Sequence, residues 1–175
     1  QWGEVQGSDS GTFTDIGQDK HTTDISYASN MPANITSLPS QETLLDQSVN
    51  KIKETKFYYD LLAQGSVAKG NLTKQEDWVQ GASYIDIEKT YNSYGLVTQE
   101  KDPNDNTTSY TYDSFNLYPA TVTNAKNQTT QYTYDYALGK VKIMADPNSR
   151  VFETVYDGFG RVKEEKVPDL AAPST

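Results

Sequence analysis

The sequence contains no cysteine and only one histidine, which excludes several kinds of catalytic and metal site. Without thiol groups the chain can form no disulfide, no cysteine nucleophile and no cysteine-ligated zinc site. His21 lies among acidic residues with Ser8 and Ser10 nearby, but neither serine has the surroundings of a nucleophile elbow. We therefore predict that His21 is a solvated loop residue and not part of a Ser-His-Asp site.

Long apolar stretches and basic clusters are also missing. Apolar residues make up 35% of the chain, and no window approaches the ~18 apolar residues of a transmembrane helix, so no membrane span is predicted. The net charge of −9 opposes binding to phosphate backbones, so nucleic acid is not a predicted partner. No signal peptide is evident and the sequence begins at Gln1, from which we expect a processed product or a piece of a longer polypeptide.

Tyrosine, in contrast, is abundant. The chain has 13 tyrosines against 5 phenylalanines and 2 tryptophans. Tyrosine suits a half-exposed sheet, because its ring packs against neighbours while its hydroxyl stays in contact with water. This composition predicts an extended β surface rather than a thick core.

A repeat governs the second half of the chain. Tyr91, Tyr112, Tyr134 and Tyr156 follow one another at intervals of 21, 22 and 22 residues, and each is followed by Asp or Asn. A fixed period near 22 residues indicates copies of one small unit. Because a unit of this size cannot bury its own apolar face, the copies must stack or pair to share a core.

Each period contains two classes of turn. The first class occupies residues 102–105, 124–127 and 146–149, where Pro or Asn favours a tight turn. The second class follows each Tyr-Asp-like pair and ends in Gly or Asn, where we predict a left-handed residue that closes a hairpin. Two turns and two strands of ~7 residues then fill each period, with antiparallel neighbours. We predict that Asp113, Asp135 and Asp157 accept hydrogen bonds from turn backbone N–H groups.

The composition divides the chain into four segments: an irregular N-terminal segment (1–24), degenerate repeats with inserts (25–84), regular repeats (85–167) and a linker-like tail (168–175). Within the second segment, Leu44, Leu45, Val49 and Ile52 have helical spacing, so residues 41–53 could form a short helix. A β interpretation, with the strand resuming near Ile52, fits equally well.

The regular segment resembles the Rhs/YD-repeat family. The motifs are VYDGFGRV at 155–162, YTYD at 110–113 and again at 132–135, and DYALGKV at 135–141. The family's turn arginine is present as Arg161, and Lys140 occupies a similar place. The residues that match the repeat signature, with an expected structural role, are Tyr91, Tyr112, Asp113, Tyr134, Asp135, Gly139, Tyr156, Asp157, Gly160 and Arg161.

The resemblance implies an all-β fold, in which an antiparallel β-hairpin meander of ~22-residue repeats forms part of a curved β-sheet shell. It also implies a non-enzymatic structural segment of a large secreted or surface protein that encloses or presents a cargo or effector. Members of the family include shell subunits of insecticidal toxin complexes, bacterial polymorphic toxins and the teneurins of animal cell surfaces. The expected partners are other repeats of the same parent polypeptide and an enclosed effector, in an extracellular or cell-surface location.

Two other functions remain open at this point. The chain could be a cell-surface adhesion module that binds a glycan or protein ligand through turn aromatics, or one that self-assembles through open sheet edges. A glycosidase with two carboxylates is disfavoured, because nothing in the sequence pairs its acidic residues. We predict no catalytic residue, cofactor or metal site. The sequence DPNDN at 102–106 lacks the glycine and the distal glutamate of a calcium loop.

Four Asn-x-Thr sequons are candidate N-glycosylation sites, and the turns at Asn106 and Asn127 favour those two. The four are Asn34, Asn71, Asn106 and Asn127.

Overall fold

Almost all regular structure in this protein is β-strand. The computed structural model describes residues 20–168, in which twelve strands form one open antiparallel sheet whose spatial order equals their order along the chain. The predicted all-β hairpin meander is therefore confirmed. The strands are β1 (Thr22–Asn30), β2 (Ile35–Leu45), β3 (Lys51–Tyr59), β4 (Leu72–Gln80), β5 (Ser83–Tyr91), β6 (Val97–Lys101), β7 (Thr107–Tyr112), β8 (Pro119–Thr123), β9 (Thr129–Asp135), β10 (Lys140–Ala145), β11 (Val151–Tyr156) and β12 (Val162–Lys166). One turn of 3₁₀ helix, Met31–Ala33, connects β1 and β2.

The chain divides into two compact units, residues 1–88 and 89–175, with the boundary inside β5. The four-segment division expected from composition stays a prediction. Most of its first segment and of its tail, including Ser8 and Ser10, lie outside the described residues. No helix in residues 20–168 is long and apolar enough to cross a membrane.

The first unit contains a small core. Ala28, Tyr59 and Val67 are buried, and Ile35, Leu38, Phe57 and Leu72 pack around them. The hydroxyl of Tyr59 donates to the Pro39 carbonyl oxygen at 2.8 Å, so the one polar atom of this ring is satisfied inside the core.

The loop between β3 and β4 folds back onto this core through Asp60. Its carboxylate accepts the backbone N–H groups of Ala68, Lys69, Gly70 and Asn71 at 2.7–3.1 Å. Burial disfavours the charged form, but the four N–H groups outweigh it and hold the pKa of Asp60 below its usual value. The loop is thus organised around one carboxylate.

The helical alternative for residues 41–53 is wrong. These residues form the end of β2 and the start of β3, and Thr43 pairs with Glu54 across the hairpin. Asp46 explains the outcome, because its carboxylate accepts the Asn50 backbone N–H at 2.7 Å and closes a tight turn. A turn residue at this position interrupts the helical spacing of the leucines, and the β interpretation is confirmed.

The second unit consists of short hairpins with no comparable core. Its complete strands, β6 to β12, are 5 to 7 residues long, at or just below the predicted length. All of the buried hydrophobic residues in the described part of the chain belong to the first unit. The large side chains of the second unit are therefore half-exposed or exposed on its strands and turns.

The repeat turns as the candidate functional site

The repeat turns share one architecture, in which an Asp or Asn side chain caps the backbone that follows it. In the turn that begins at Asp102, for example, Oδ1 accepts the backbone N–H groups of Asn104 and Asn106 at 2.8 and 2.9 Å. The same cap recurs at 11-residue intervals, at Asp102, Asp113, Asn124, Asp135, Asp146 and Asp157. The hydrogen bonds expected of Asp113, Asp135 and Asp157 are present, and the two turn classes of the sequence are structurally one.

A left-handed residue closes each of these turns. In the Tyr-Asp class the closing residues have positive φ, as expected: Gly95, Asn116, Gly139 and Gly160. The other class uses Asp105, Asn127 and Ser149 in the same conformation, with φ of 58–64°. The turn at Asp135 is one residue longer than its equivalents, so Gly139 stands fifth instead of fourth.

Gly139 has a second reason to be glycine. A Cβ atom at this position would lie 2.9 Å from the Tyr118 hydroxyl oxygen, in addition to requiring a φ of 65°. Backbone conformation and close contact therefore both favour glycine here, because a side chain would strain the backbone and displace the Tyr118 hydroxyl.

Hydrogen bonding lowers the pKa of several capping aspartates. The Leu117 backbone N–H lowers the pKa of Asp113 most, and the Arg150 and Arg161 backbone N–H groups do so for Asp146 and Asp157. These carboxylates accept bonds as anions, which stabilises the charged form. The turns therefore depend on ionised aspartate, unlike a general acid that must hold a proton.

Arginine reinforces two of the turns. Arg161 Nε donates to Asp157 Oδ2 at 2.7 Å, as the repeat signature suggests. Arg150 makes the equivalent 2.7 Å bond to Asp146 Oδ2, although sequence comparison identified only Arg161 as the turn arginine. The sequence feature that could have identified Arg150 is its position four residues after Asp146, the same spacing as from Asp157 to Arg161. Lys140 instead donates to the Gly160 carbonyl oxygen at 2.5 Å and connects the turn at Asp135 with the turn at Asp157.

The signature tyrosines lock each hairpin through their hydroxyl groups. Tyr112, Tyr134 and Tyr156 donate to the carbonyl oxygens of Val97, Pro119 and Val141 at 2.8, 3.0 and 2.8 Å. Each acceptor lies 15 residues earlier, at or near the start of the neighbouring strand. Tyr91 occupies the corresponding place at the end of β5 and is half-buried.

The aromatic residues at the turn tips do not share one environment. Tyr94, Phe115 and Phe159 lie two residues after their capping residue and are 71%, 66% and 88% exposed. Tyr136 lies only one residue after Asp135, and its ring meets Phe115 edge-on at 5.3 Å between centroids. The Tyr136 hydroxyl also donates to Asp113 Oδ2 at 3.0 Å. Phe115 and Tyr136 therefore anchor one turn to another, while the Phe159 ring lies beside the Arg161 guanidinium, 5.4 Å from its centroid.

The first unit contains a polar network that sequence reasoning missed. Glu54 is 7% exposed and accepts hydrogen bonds from the Tyr84 hydroxyl and, at 3.2 Å, from the Lys51 ammonium. Lys51 also lies 4.6 Å from the ring centroid of Trp78. The burial of Glu54 would raise its pKa, but these donors outweigh it and the pKa is lowered.

A second carboxylate in this network is equally engaged. Glu76 accepts hydrogen bonds from the Tyr58 hydroxyl and the Lys74 ammonium at 2.8 and 2.7 Å. Burial of Tyr58, and after it the hydrogen bond to the Glu76 carboxylate, raises the pKa of Tyr58 to about 12. Both glutamates are thus charged and paired. In residues 20–168 no group of three or more His, Asp or Glu side chains is arranged to hold a metal ion.

The remaining candidate residues are dispersed. His21 is exposed and immediately precedes β1. Asn34 and Asn127 are exposed and left-handed, whereas Asn71 is half-buried. The side-chain amide of Asn106 donates to both carboxylate oxygens of Asp102. Glycosylation of the four sequons stays a prediction.

Comparison with known proteins identifies the repeat. Residues 91–125 match the RHS repeat family model, which confirms the Rhs/YD-repeat resemblance over that stretch. No curated protein matches the chain. Similar solved structures include the TcdB2-TccC3-Cdc42 crystal structure (16% identity, TM-score 0.49, covering 70% of this chain) and a Photorhabdus luminescens Tc holotoxin pore with a TccC3 mutation (12% identity, TM-score 0.40, covering 83%). The chain spans 7% and 9% of the length of those two proteins.

Proposed function

We propose that this chain, with its RHS repeat at residues 91–125, is a non-enzymatic segment of a larger secreted YD-repeat shell that encloses or presents a cargo. Its partners in that role are further repeats of the same parent polypeptide and an enclosed effector. The observation that carries the proposal is the one open antiparallel sheet, in which side-chain caps recur every 11 residues through the second unit.

Domains ordinarily bury one face of a sheet against a second layer and thereby bury many large side chains. Here, in residues 20–168, no large side chain is fully buried, and the buried hydrophobic residues are Ala28, Tyr59 and Val67. A sheet of this kind suits a wall, in which each repeat gains stability from the repeats on either side. A wall also has two faces, and the side chains of each face are in contact with one of the two compartments that the wall separates.

The chemistry of the turns supports a structural role. Each capping aspartate is committed to backbone N–H groups, and the same arrangement occurs at regular intervals along the sheet. Catalysis needs one converging set of groups, whereas a turn cap is needed once for every turn. Glu54 and Glu76 of the first unit are each paired with a lysine and a tyrosine, which holds both carboxylates in structural contacts within the sheet.

The test is limited proteolysis of the folded parent protein, together with its intact mass from the natural source. We expect a mass many times 19.5 kDa and slow cleavage within residues 20–168. Cleavage of this segment as fast as that of an unfolded linker would refute the shell. An intact mass near 19.5 kDa would also refute it and favour an autonomous repeat protein.

A second function, adhesion to a glycan or protein at a cell surface, is favoured by one observation. Tyr94 and Phe159 are large exposed rings at turn tips, and exposed aromatics of this kind often mark interaction sites. Phe159→Ala should then reduce saturable binding without loss of folding. Phe115→Ala is the comparison, because Phe115 also packs on Tyr136 and its loss should affect folding as well. Concentration-dependent oligomers of the wild-type chain would instead indicate self-assembly through the edges at β1 and β12.

A further inference from the structure

We propose that Tyr118 and Tyr134 are a dityrosine cross-linking pair, joined by a carbon–carbon bond when a haem peroxidase and hydrogen peroxide act on the folded chain. The proposal concerns covalent reinforcement of the repeat sheet. It does not depend on the shell, because it follows from the contact between two side chains of one unit.

Geometry singles out this pair. The ring centroids of Tyr118 and Tyr134 are 4.6 Å apart and the ring planes are inclined by only 19°, so the two phenols are stacked. Two further phenol pairs of the same unit are wider and more tilted. Tyr118 and Tyr136 are 6.1 Å apart, and Tyr132 and Tyr134 are 6.5 Å apart.

Position in the fold gives the stacked rings room to react. Tyr118 lies in the turn immediately before β8, and Tyr134 lies near the end of the neighbouring strand β9. Both residues are half-buried, so part of each remains accessible to the oxidant. A coupling bond needs the rings to slide from face-to-face stacking until their ortho carbons meet, and a turn residue moves more readily than two strand residues.

The chemistry balances with the named oxidant. Each phenol gives up one electron and one proton to the peroxidase, and the two phenoxyl radicals combine through the carbons ortho to their oxygens. The two hydrogens on those carbons then move to the oxygens and restore both aromatic rings. In total two hydrogen atoms leave the protein, and one hydrogen peroxide is reduced to two waters.

The consequence suits a chain without cysteine. A bond between residues 118 and 134 links the start of β8 covalently to β9, as a disulfide links two strands in an oxidised protein. Such a bond restricts the unfolded chain and keeps the two residues together, while the rings shift from the stacked position of the unreacted chain.

The experiment treats the full 175-residue chain with horseradish peroxidase and hydrogen peroxide at low protein concentration. Peptides are then mapped by mass spectrometry, alongside dityrosine fluorescence. The expected main product is a monomer lighter by two hydrogen atoms, with a cross-linked peptide containing Tyr118 and Tyr134. In urea the same treatment should spread cross-links over the 13 tyrosines, and the 118–134 product should fall several-fold.

Two phenylalanine variants provide the matched comparison. Tyr118→Phe keeps the ring in the stack but lacks the phenol, so it should lose the 118–134 product. Tyr94→Phe removes an exposed phenol without a stacked partner and should keep it. An equal distribution of cross-links in the folded and urea-treated wild-type chain would overturn the proposal, and so would products that join only separate molecules. That comparison needs no variant and therefore holds even if a substitution disturbs folding.

Discussion

At the scale of single residues, the repeat is held mainly by side chains that bond to the backbone, and arginine–aspartate pairs reinforce two of the turns. The signature tyrosines donate to main-chain carbonyl oxygens, and the capping aspartates accept from main-chain N–H groups. A satisfied hydrogen bond of this kind contributes about 1 kcal/mol, while an unsatisfied half-buried partner costs more. In a sheet with so little apolar burial, such bonds form a large part of the total stability.

The first prediction concerns the Tyr134 hydroxyl. Tyr134→Phe should lower the free energy of unfolding by about 1 kcal/mol, because the Pro119 carbonyl loses its 3.0 Å donor while the ring stack is retained. Urea denaturation measures the change. Tyr132→Phe removes a hydroxyl from the same strand that does not lock a neighbouring strand, and it should change stability by much less. Equal effects of the two substitutions would contradict the assigned lock.

The second prediction concerns backbone strain at Val49. This exposed, β-branched residue has a φ of 65°, a conformation that costs a branched side chain on the order of 1 kcal/mol. Val49→Asn should therefore raise the unfolding midpoint, since Asn34, Asn116 and Asn127 already occupy left-handed positions in this chain. The neighbouring substitution Ser48→Asn should give no gain. A destabilised Val49→Asn variant would show that the side chain of Val49 contributes more than its strain costs.

At the scale of elements, the unit is an 11-residue strand and turn, and two of them make one 22-residue repeat. The sequence predicted the hairpins because Thr- and Tyr-rich strands alternate with turn residues at fixed spacing. The sequence did not show that the two classes of turn are equivalent, because Asp102 precedes Pro whereas Asp113 follows Tyr. The network around Glu54 could not be predicted either, because Tyr84 lies 30 residues away and meets Glu54 only through strand pairing.

The third prediction is acid sensitivity of the turns. The pKa values of Asp102, Asp113, Asp146 and Asp157 are lowered in the folded chain. Their contribution to stability is therefore complete above the usual Asp pKa near 3.9, and it is lost as the pH falls through the lower folded values. Thermal melting between neutral pH and about pH 2 measures this loss.

Asp102→Asn separates charge from geometry in that experiment. Asn124 shows that an amide oxygen can cap the same turn, with 3.0 Å bonds to Lys126 and Gln128. The variant should keep most of its stability at neutral pH and lose less on acidification than the wild type. Asp102→Ala should be less stable at every pH. An Asp102→Asn variant with an unchanged acid profile would show that this carboxylate does not contribute to it.

At the scale of the whole molecule, the sheet of residues 20–168 buries few large side chains and should unfold gradually. Stability in repeat sheets is a sum over neighbouring units, so regions with few buried contacts open first. The first unit has the buried residues Ala28, Tyr59 and Val67, whereas every residue of β12 is exposed. The two units therefore differ in how strongly their packing protects backbone amides from hydrogen exchange.

The fourth prediction is a gradient of hydrogen exchange. Backbone amides of β12 should exchange several orders of magnitude faster than those of β3, where Glu54, Thr55 and Tyr59 are buried. Exchange followed by mass spectrometry measures this difference, and a denaturant series shows whether it persists. Uniform protection of both strands would indicate one cooperative unit and would contradict the prediction.

The tyrosine locks also bear on how such a chain can change over evolutionary time. Each hydroxyl is received by the main chain of Val97, Pro119 or Val141, an acceptor that every amino acid provides. The receiving strand is therefore free to diverge in its side chains, proline included, without losing the bond. Duplicated units can therefore diverge in sequence while the hydrogen bonds between their strands are kept. Tyrosine and aspartate are then the residues by which the common origin of the units can still be recognised.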